Sequence, residues 1–326
     1  GRIKHKAGPS GGDIDGILDR HELTHGTRTS CLGQWTVPEA AAGEDVHFIA
    51  RGRHLAAMKS NGLRVNSPLG DVHLETPQAT DDPAQCGPAD LVVVGVKLYD
   101  TEAAAVAIKP LVGPETTVVS FQNGVHAGQV FSDAFGRDKV IGGSSSIATQ
   151  IQEPGVILHT GTMASMAFGE WDGEESARVV AFLDACKGAG INATLSDDIN
   201  EVIWSKFIFL SSFSGVTCRF RQSIGPIRED AEKLAIYHQA LEETFAVAIA
   251  KGVNLKTDLV EKRMAFTEGL PVEMYASMYH DLVNGRRLEL PWLSGAVVDL
   301  GRQLGIETPA HLDFTDALEP FVEGQT

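Results

Sequence analysis

A doubly wound α/β domain followed by an all-helical domain is the fold class that three features of this 326-residue sequence predict. From residue 44 to about residue 170, short β-rich runs alternate with helical stretches, a spacing that argues for a parallel sheet built from strand–helix–strand units. Within that region "LVVVGVK" (Leu91–Lys97) is an almost unbroken apolar run, the kind buried on both faces of a parallel sheet. Beyond about Asp198 the pattern changes to helical apolar spacing in "INEVIWSKFIFLSSFSGVT", "EDAEKLAIYHQALEETFAVAIAKG", "PVEMYASMYHDLVNG" and "PWLSGAVVDLGRQLG".

The elements follow in order. "GEDVHFIARGRHLAAMKSNGL" (Gly43–Leu63) reads as the second strand of such a unit, with Arg51 and Arg53 at its carboxyl end. The segment before it does not read as a first strand and phosphate loop: "RIKHKA" is no apolar strand, and "GPSGGDIDG" (Gly8–Gly16) is rich in glycine but lacks the G-x-G-x-x-G spacing. The turn-rich "DDPAQCGPAD" leads into the Leu91–Lys97 strand. "DTEAAAVAIKPLVG" (Asp100–Gly113) then reads as a helix with an acidic start and a Pro/Gly stop. "TTVVSFQNGV" (Thr116–Val125) and "KVIGGSSSIAT" (Lys139–Thr149) read as further strands, the first running into an Asn-Gly turn. "GVILHTGTMASMAFGEWDG" (Gly155–Gly173) reads as an antiparallel hairpin closing the domain, followed by a helix near Glu174–Lys187 and a strand "INATLS". Gly252, Gly285 and Gly305 lie where helix stops are expected. In an open sheet of this kind, ligands sit beyond the carboxyl ends of the strands. Arg51, Lys97 and Asn123 fall there.

Composition narrows the function classes. The chain is 43% hydrophobic and 21% charged, apolar enough for ordinary cores. Its net charge of -16 argues against a nucleic-acid partner. Cys31, Cys86, Cys186 and Cys218 are widely spaced and form no CxxC pair, so neither a zinc site nor a disulfide framework is indicated. The histidines show no metal-ligand spacing, and no metal is assigned. No apolar run approaches the ~20 residues that span a bilayer, and there is no charged-then-apolar leader. A cytoplasmic protein without a membrane partner is expected.

Taken singly, each candidate residue has two readings. Lys206 lies inside the apolar "WSKFIFL", where Phe207, Ile208 and Phe209 would lower its pKa if they desolvate it. It then suits proton donation to an alkoxide, but it could equally snorkel from a helix face. Glu289 in "GRRLELPW" could bind a substrate hydroxyl or hold a lysine, or be a surface carboxylate beside Arg286 and Arg287. Lys97 either projects toward a cofactor or meets solvent. Asn123-Gly124 either offers an amide at the sheet's crevice or is an ordinary turn.

Together the residues are more specific. The ordered set "FIARGRHL", "LVVVGVKLYDTE", "SFQNGV", "VIGGSSSIA", "EPGVILHTGT", "FGEWDG", "IWSKF", "ASMYHDL" and "RRLELPWLSGAVV" resembles the ketopantoate reductase (2-dehydropantoate 2-reductase) family over residues 43–320. The resemblance implies an atypical segment at residues 1–42 and a Rossmann-type NADP-binding domain at 43–197. It implies a helical substrate and catalytic domain at 198–326, like the C-terminal domain of 6-phosphogluconate dehydrogenase. It implies NADPH-dependent reduction of ketopantoate to pantoate, on the route to pantothenate and coenzyme A. Lys206 is the implied general acid and Glu289 the carboxylate near nicotinamide and substrate. Asn123 is the amide touching both, Lys97 the strand-end lysine of the NADP(H) site, and Ala148 a backbone contact to the nicotinamide end. Ser277 is the implied substrate hydroxyl contact, and Arg51, with Arg53 as a helper, the reader of the 2′-phosphate. The partner is thus a small 2-keto acid; a homodimer is left open.

Two departures qualify the resemblance. Where the family's substrate pocket carries asparagines one and two turns after the lysine, this chain has Leu210 and Ser214, with Ser214 remaining as a substrate-binding candidate. A further asparagine position is Ile224. Reduction of a related 2-keto acid is therefore an alternative. The missing glycine loop leaves two readings of residues 1–42, a frame-shifted or replaced family start and a genuinely divergent segment. It also raises the alternative of a catalytically impaired binding protein of the same fold.

Overall fold

The structure is a computed structural model that describes residues 3–6 and 30–324. It divides into two compact units. The first is drawn from Gly1–Gln122 and His126–Ile199, and the second from Asn123–Val125 and Asn200–Thr326.

In the first unit the elements are β1 (Ile3–Lys6), α1 (Ser30–Ala41), β2 (His47–Ile49), α2 (Gly52–Asn61), β3 (Leu63–Asn66), β4 (Val72–Leu74) and β5 (Gln78–Thr80). There follow β6 (Leu91–Val94), α3 (Thr101–Ala107), β7 (Thr117–Ser120), α4 (Ala127–Phe135), β8 (Val140–Glu153), β9 (Val156–Gly169), α5 (Ala177–Gly188) and β10 (Ala193–Leu195). The main sheet runs β1-β6-β7-β8-β9-β3-β4 with β10 beside β9, while β2 and β5 form a separate parallel pair. From β1 to β8 every pairing on this path is parallel.

β6 explains why the sheet is wound on both faces. All four of its residues are buried, and successive side chains of a strand point to opposite faces. Val92 and Val94 accordingly pack with Ala104, Ala105 and Ile108 of the α3 region and with Phe131 of α4. Leu91 and Val93 pack instead with Val179 and Phe182 of α5 and with Phe168 of β9. Each face brings its own helix layer, so neither can be left to water without exposing an apolar strip.

Three expectations are corrected. "RIKHKA" does contain a strand, β1, whose residues pair in register with β6 from Ile3↔Leu91 to Lys6↔Val94, and β1 lies beside β2. A parallel ladder is made by backbone groups, so the weak apolar pattern of this segment gives no sign of it. Gly8–Gly16 lies outside the described residues. The segment before β2 also contains α1, which buries Val37 against Phe48, Met58 and Val65 despite Pro38 within the helix.

The second correction concerns Gly155–Gly173. No hairpin forms inside it: Val156–Gly169 is one strand, antiparallel to β8 from Gly142↔Gly169 to Glu153↔Val156. The chain reverses at Pro154-Gly155, with Gly155 at φ +82. Proline fixes one turn residue and glycine takes the left-handed one at no steric cost. The buried His54 accepts a hydrogen bond through Nδ1 from Gly155 N–H at 3.1 Å, tying the turn to α2.

The second unit is helical: α6 (Ile199–Phe220, its first residue grouped with the sheet), α7 (Ile224–Glu229), α8 (Ala231–Ala250), α9 (Leu259–Glu268), α10 (Ser277–Val283), α11 (Ser294–Leu304) and α12 (Pro309–Leu318). Gly252, Gly285 and Gly305 all take positive φ just past helix ends. The third correction is the length of α10. "PVEMYASMYHDLVNG" shows helical spacing, yet the helix starts only at Ser277. The Val272 and Met274 carbonyls are used instead to accept from Gly225 and Ile224 N–H at the start of α7. Among the described residues no helix is long and apolar enough to cross a membrane.

α8 organises this unit. Its Glu243 is buried and caps α12, accepting from Ala310 N–H at 2.8 Å and His311 N–H at 3.1 Å. These are the amides that a helix start leaves without intrahelical partners. Burial pushes the Glu243 carboxyl above its usual range. His311 is fully buried, with Nε2 3.0 Å from the Ala240 carbonyl and 2.8 Å from Thr244 Oγ1, while Nδ1 has no partner. Charging the ring would put an unsatisfied N–H in the interior, and burial lowers the His311 pKa to about 4.

The pH dependence follows from that depression. Between the folded value of about 4 and the ordinary histidine value of 6.5 the unfolded chain binds the extra proton, so stability falls as pH drops through this window. The full contribution is present above the unfolded value, and the loss is complete below the folded one. We expect urea unfolding to show up to about 3 kcal/mol lost from this residue between neutral pH and pH ~4. His311→Gln should lack that part of the slope; an unchanged slope would contradict the assignment.

Candidate active site

α6 carries the first set of residues. Trp204, Phe207 and Ile208 are buried and anchor the helix in its core, while Lys206 and Leu210, one turn apart, are half-buried. The Lys206 ammonium donates to Asn123 Oδ1 at 2.9 Å. Asn123 follows β7 in the chain but belongs to the same compact unit as Lys206. The next residue, Gly124, sits at φ +78, so the chain turns sharply at the amide. A charge-assisted bond of this kind orients the cation.

The other candidates of this unit occupy distinct environments. Glu289 is 4% exposed at the start of a 3-10 turn, Leu290–Trp292, and its backbone carbonyl accepts from Trp292 and Leu293 N–H. Ser214, two turns beyond Lys206, is fully buried, and its hydroxyl has no hydrogen-bond partner among the described residues. Ile224 is also fully buried. Ser277 is exposed as the first residue of α10.

In the first unit Arg51 stands immediately before α2, two residues past β2. Its guanidinium is half-buried, and its pKa is lowered by that burial, opposed by the charges of Asp81 and Asp100. Arg53 is exposed in the first turn of α2. Lys97 lies three residues past β6, half-buried. Ala148 is exposed within β8 at a register irregularity between Ile147 and Thr149, and its carbonyl accepts from Thr160 Oγ1 at 3.3 Å.

Some residues at these positions escaped the sequence reading. Gln122 is buried beside Asn123 in the chain; its Nε2 donates to Thr101 Oγ1 at 2.8 Å and, more weakly, to the Lys97 carbonyl at 3.5 Å. It thus ties the carboxyl end of β7 to that of β6. A polar residue ending an apolar strand was the available signal. Arg263 donates to Ser205 Oγ at 2.6 Å, with its pKa lowered by burial. Its helix, α9, shows almost no apolar periodicity to draw attention to it. Among the described residues no cluster of three or more His, Cys, Asp or Glu side chains could hold a metal.

The comparisons with known proteins bear on this arrangement. The family model "Ketopantoate reductase PanE/ApbA" matches residues 38–173, and its C-terminal counterpart matches residues 198–321. A 2-dehydropantoate 2-reductase of Halobacterium salinarum is 30% identical over 266 residues, covering 82% of this chain and 87% of that protein. The chain belongs to the ketopantoate reductase family. Its members named in this way are oxidoreductases, and this chain is an enzyme of that class. The crystal structure of 2-dehydropantoate 2-reductase from Geobacter metallireducens GS-15 superposes with a TM-score of 0.84 at 26% identity, covering 98% of this chain and 99% of that one. A D-mandelate dehydrogenase solved with NADH superposes with a TM-score of 0.80 at 19% identity, covering 98% of each chain, and at that identity the likeness is one of fold.

The two serines of α6 give a stability test. Ser211 Oγ donates to the Phe207 carbonyl at 2.8 Å, whereas the Ser214 hydroxyl is buried without a partner. Ser214→Ala should leave the thermal midpoint unchanged or raise it, and Ser211→Ala should lose about 1 kcal/mol. Equal losses in calorimetry would show that the Ser214 hydroxyl is satisfied.

Proposed function

We propose that this chain reduces the 2-keto group of 2-dehydropantoate to (R)-pantoate with NADPH, a step on the route to pantothenate and coenzyme A. The observation that carries the reading is the Lys206–Asn123 bond: a half-buried ammonium beside the apolar run Phe207–Leu210, held by the Asn123 amide. Family membership supports the reaction class.

The donor set fits a nicotinamide dinucleotide. Arg51 past β2 is a cation suited to a 2′-phosphate, and Lys97 past β6 is a second cation at a strand end, where such ligands bind in open sheets. The fold neighbour solved with NADH is consistent with that class of ligand. When bound, the reduced nicotinamide supplies a hydride to the keto carbon.

As the carbonyl oxygen gains negative charge, Lys206 Nζ stabilises it and delivers the proton that completes the hydroxyl. Asn123 holds the ammonium through its side-chain oxygen and keeps its own NH₂ free to donate. Glu289, in its buried position, orients the substrate hydroxyl, and Ser277, exposed at the start of α10, supplies a further hydroxyl contact. Ala148 offers a backbone contact at the nicotinamide end.

Following the loss of reduced-nicotinamide absorbance with 2-dehydropantoate tests this reading. Lys206→Ala should lower kcat by the ~10²–10⁴ typical of general acid catalysis, with dinucleotide binding retained. A near wild-type rate in that variant would remove Lys206 from the proposed role.

A further inference from the structure

The residues on either side of the Asn123 loop are tied to adjacent positions of one helix. On the amino-terminal side is the buried Gln122, whose side-chain amide has a fixed orientation. Thr101, fully buried at the start of α3, donates its only hydroxyl hydrogen to the Leu98 carbonyl at 2.8 Å. Its Oγ1 is therefore the acceptor for Gln122 Nε2, also at 2.8 Å. Ser120 Oγ donates to Gln122 Oε1 at 2.9 Å and holds the other end of the amide. On the carboxyl-terminal side, His126 Nε2 donates to Glu102 Oε1 at 2.8 Å, and Glu102 is the residue next to Thr101. All these residues lie in the sheet unit. Between the two ties stand only Asn123, Gly124 and Val125, with Gly124 at φ +78.

The ties lie beyond what the sheet itself requires. The β6–β7 ladder runs from Leu91↔Thr117 to Val94↔Ser120 and ends before Gln122. A glycine gives a short segment conformations that other residues do not reach. An amide beside it is held in one place only if supporting hydrogen bonds fix the chain around it. We infer that Gln122 and Glu102 are positioning residues, which hold the Asn123 loop by both ends and so keep its amide aimed at the Lys206 ammonium. The inference rests on the reading that Lys206 and Asn123 serve the reduction, and both residues act through Asn123. The two ties are unequal. Gln122 is buried, whereas the His126 and Glu102 side chains are 40% and 60% exposed, so the second tie is the weaker.

Steady-state kinetics of the full chain with NADPH and 2-dehydropantoate test this, each variant being made both in the wild type and in an Asn123→Ala background. In the wild type, Gln122→Ala should lower kcat about three- to tenfold, the size of one net hydrogen bond. Glu102→Ala should lower it about two- to threefold. Glu102→Gln keeps an oxygen that accepts from His126 and should restore the rate. In the Asn123→Ala background neither Gln122→Ala nor Glu102→Ala should cost anything further, an outcome that a general weakening of the fold would not produce. Glu102 is exposed, so its variants carry the test even if Gln122→Ala does not fold. Losses of the same size in both backgrounds, or a wild-type kcat in both Gln122→Ala and Glu102→Ala, would overturn the inference and leave the proposed reductase intact. A wild-type rate in Asn123→Ala alone would overturn the role given to the Lys206–Asn123 pair, and this inference with it.

Discussion

An ammonium group beside the apolar run Phe207–Leu210 of α6 is the constraint on which the candidate residues of the helical unit depend. Lys206 sits between buried Ser205 and buried Phe207, and its charge must be met by polar groups to be tolerated at that depth. The amide of Asn123 meets it at 2.9 Å. Asn123–Val125 group with the helical unit, while the chain on either side of them groups with the sheet. The bond joins the loop after β7 to a side chain 83 residues further on.

The positions of the remaining candidates depend on where parallel strands stop. β6 sends alternate valines into two separate cores, which fixes the register of its neighbours, since a slip of one residue would turn every side chain to the wrong face. Lys97 and Gln122 then stand at fixed heights past β6 and β7, joined by the weak bond from Gln122 Nε2 to the Lys97 carbonyl. Arg51 is set the same way, two residues past the last paired residue of β2. A fold that determines strand ends through burial in this way can vary the chemistry at those ends with little cost to the core.

Much of this was legible in the sequence because it was written in apolar periodicity. Leu91–Val94 and the long helix around Lys206 read correctly because their patterns are strong and their burial is deep. What escaped had no such signature. β1 is held by backbone pairing to β6, which a stretch reading "IKHK" does not announce. The β8–β9 reversal was missed because Pro154-Gly155 is a short signal beside two strands of 14 residues each. The start of α10 was read too early because the carbonyls of Val272 and Met274 are claimed by α7, a tertiary demand invisible to local pattern. Lys206, Asn123 and Glu289 stand out in the sequence and take their roles from family resemblance, whereas the part Gln122 plays in joining two strand ends is visible only in the structure.

The central claim is that Lys206 and Asn123 act as one unit. A double-mutant cycle on kcat/KM, using Lys206→Ala, Asn123→Ala and the pair, measures this directly. If the amide works through the ammonium, the double variant should be scarcely worse than Lys206→Ala alone, giving a coupling energy within the ~0.5–3 kcal/mol seen for residues in direct contact. Strictly additive losses would mean that the two side chains serve the reaction independently, and the account would fail.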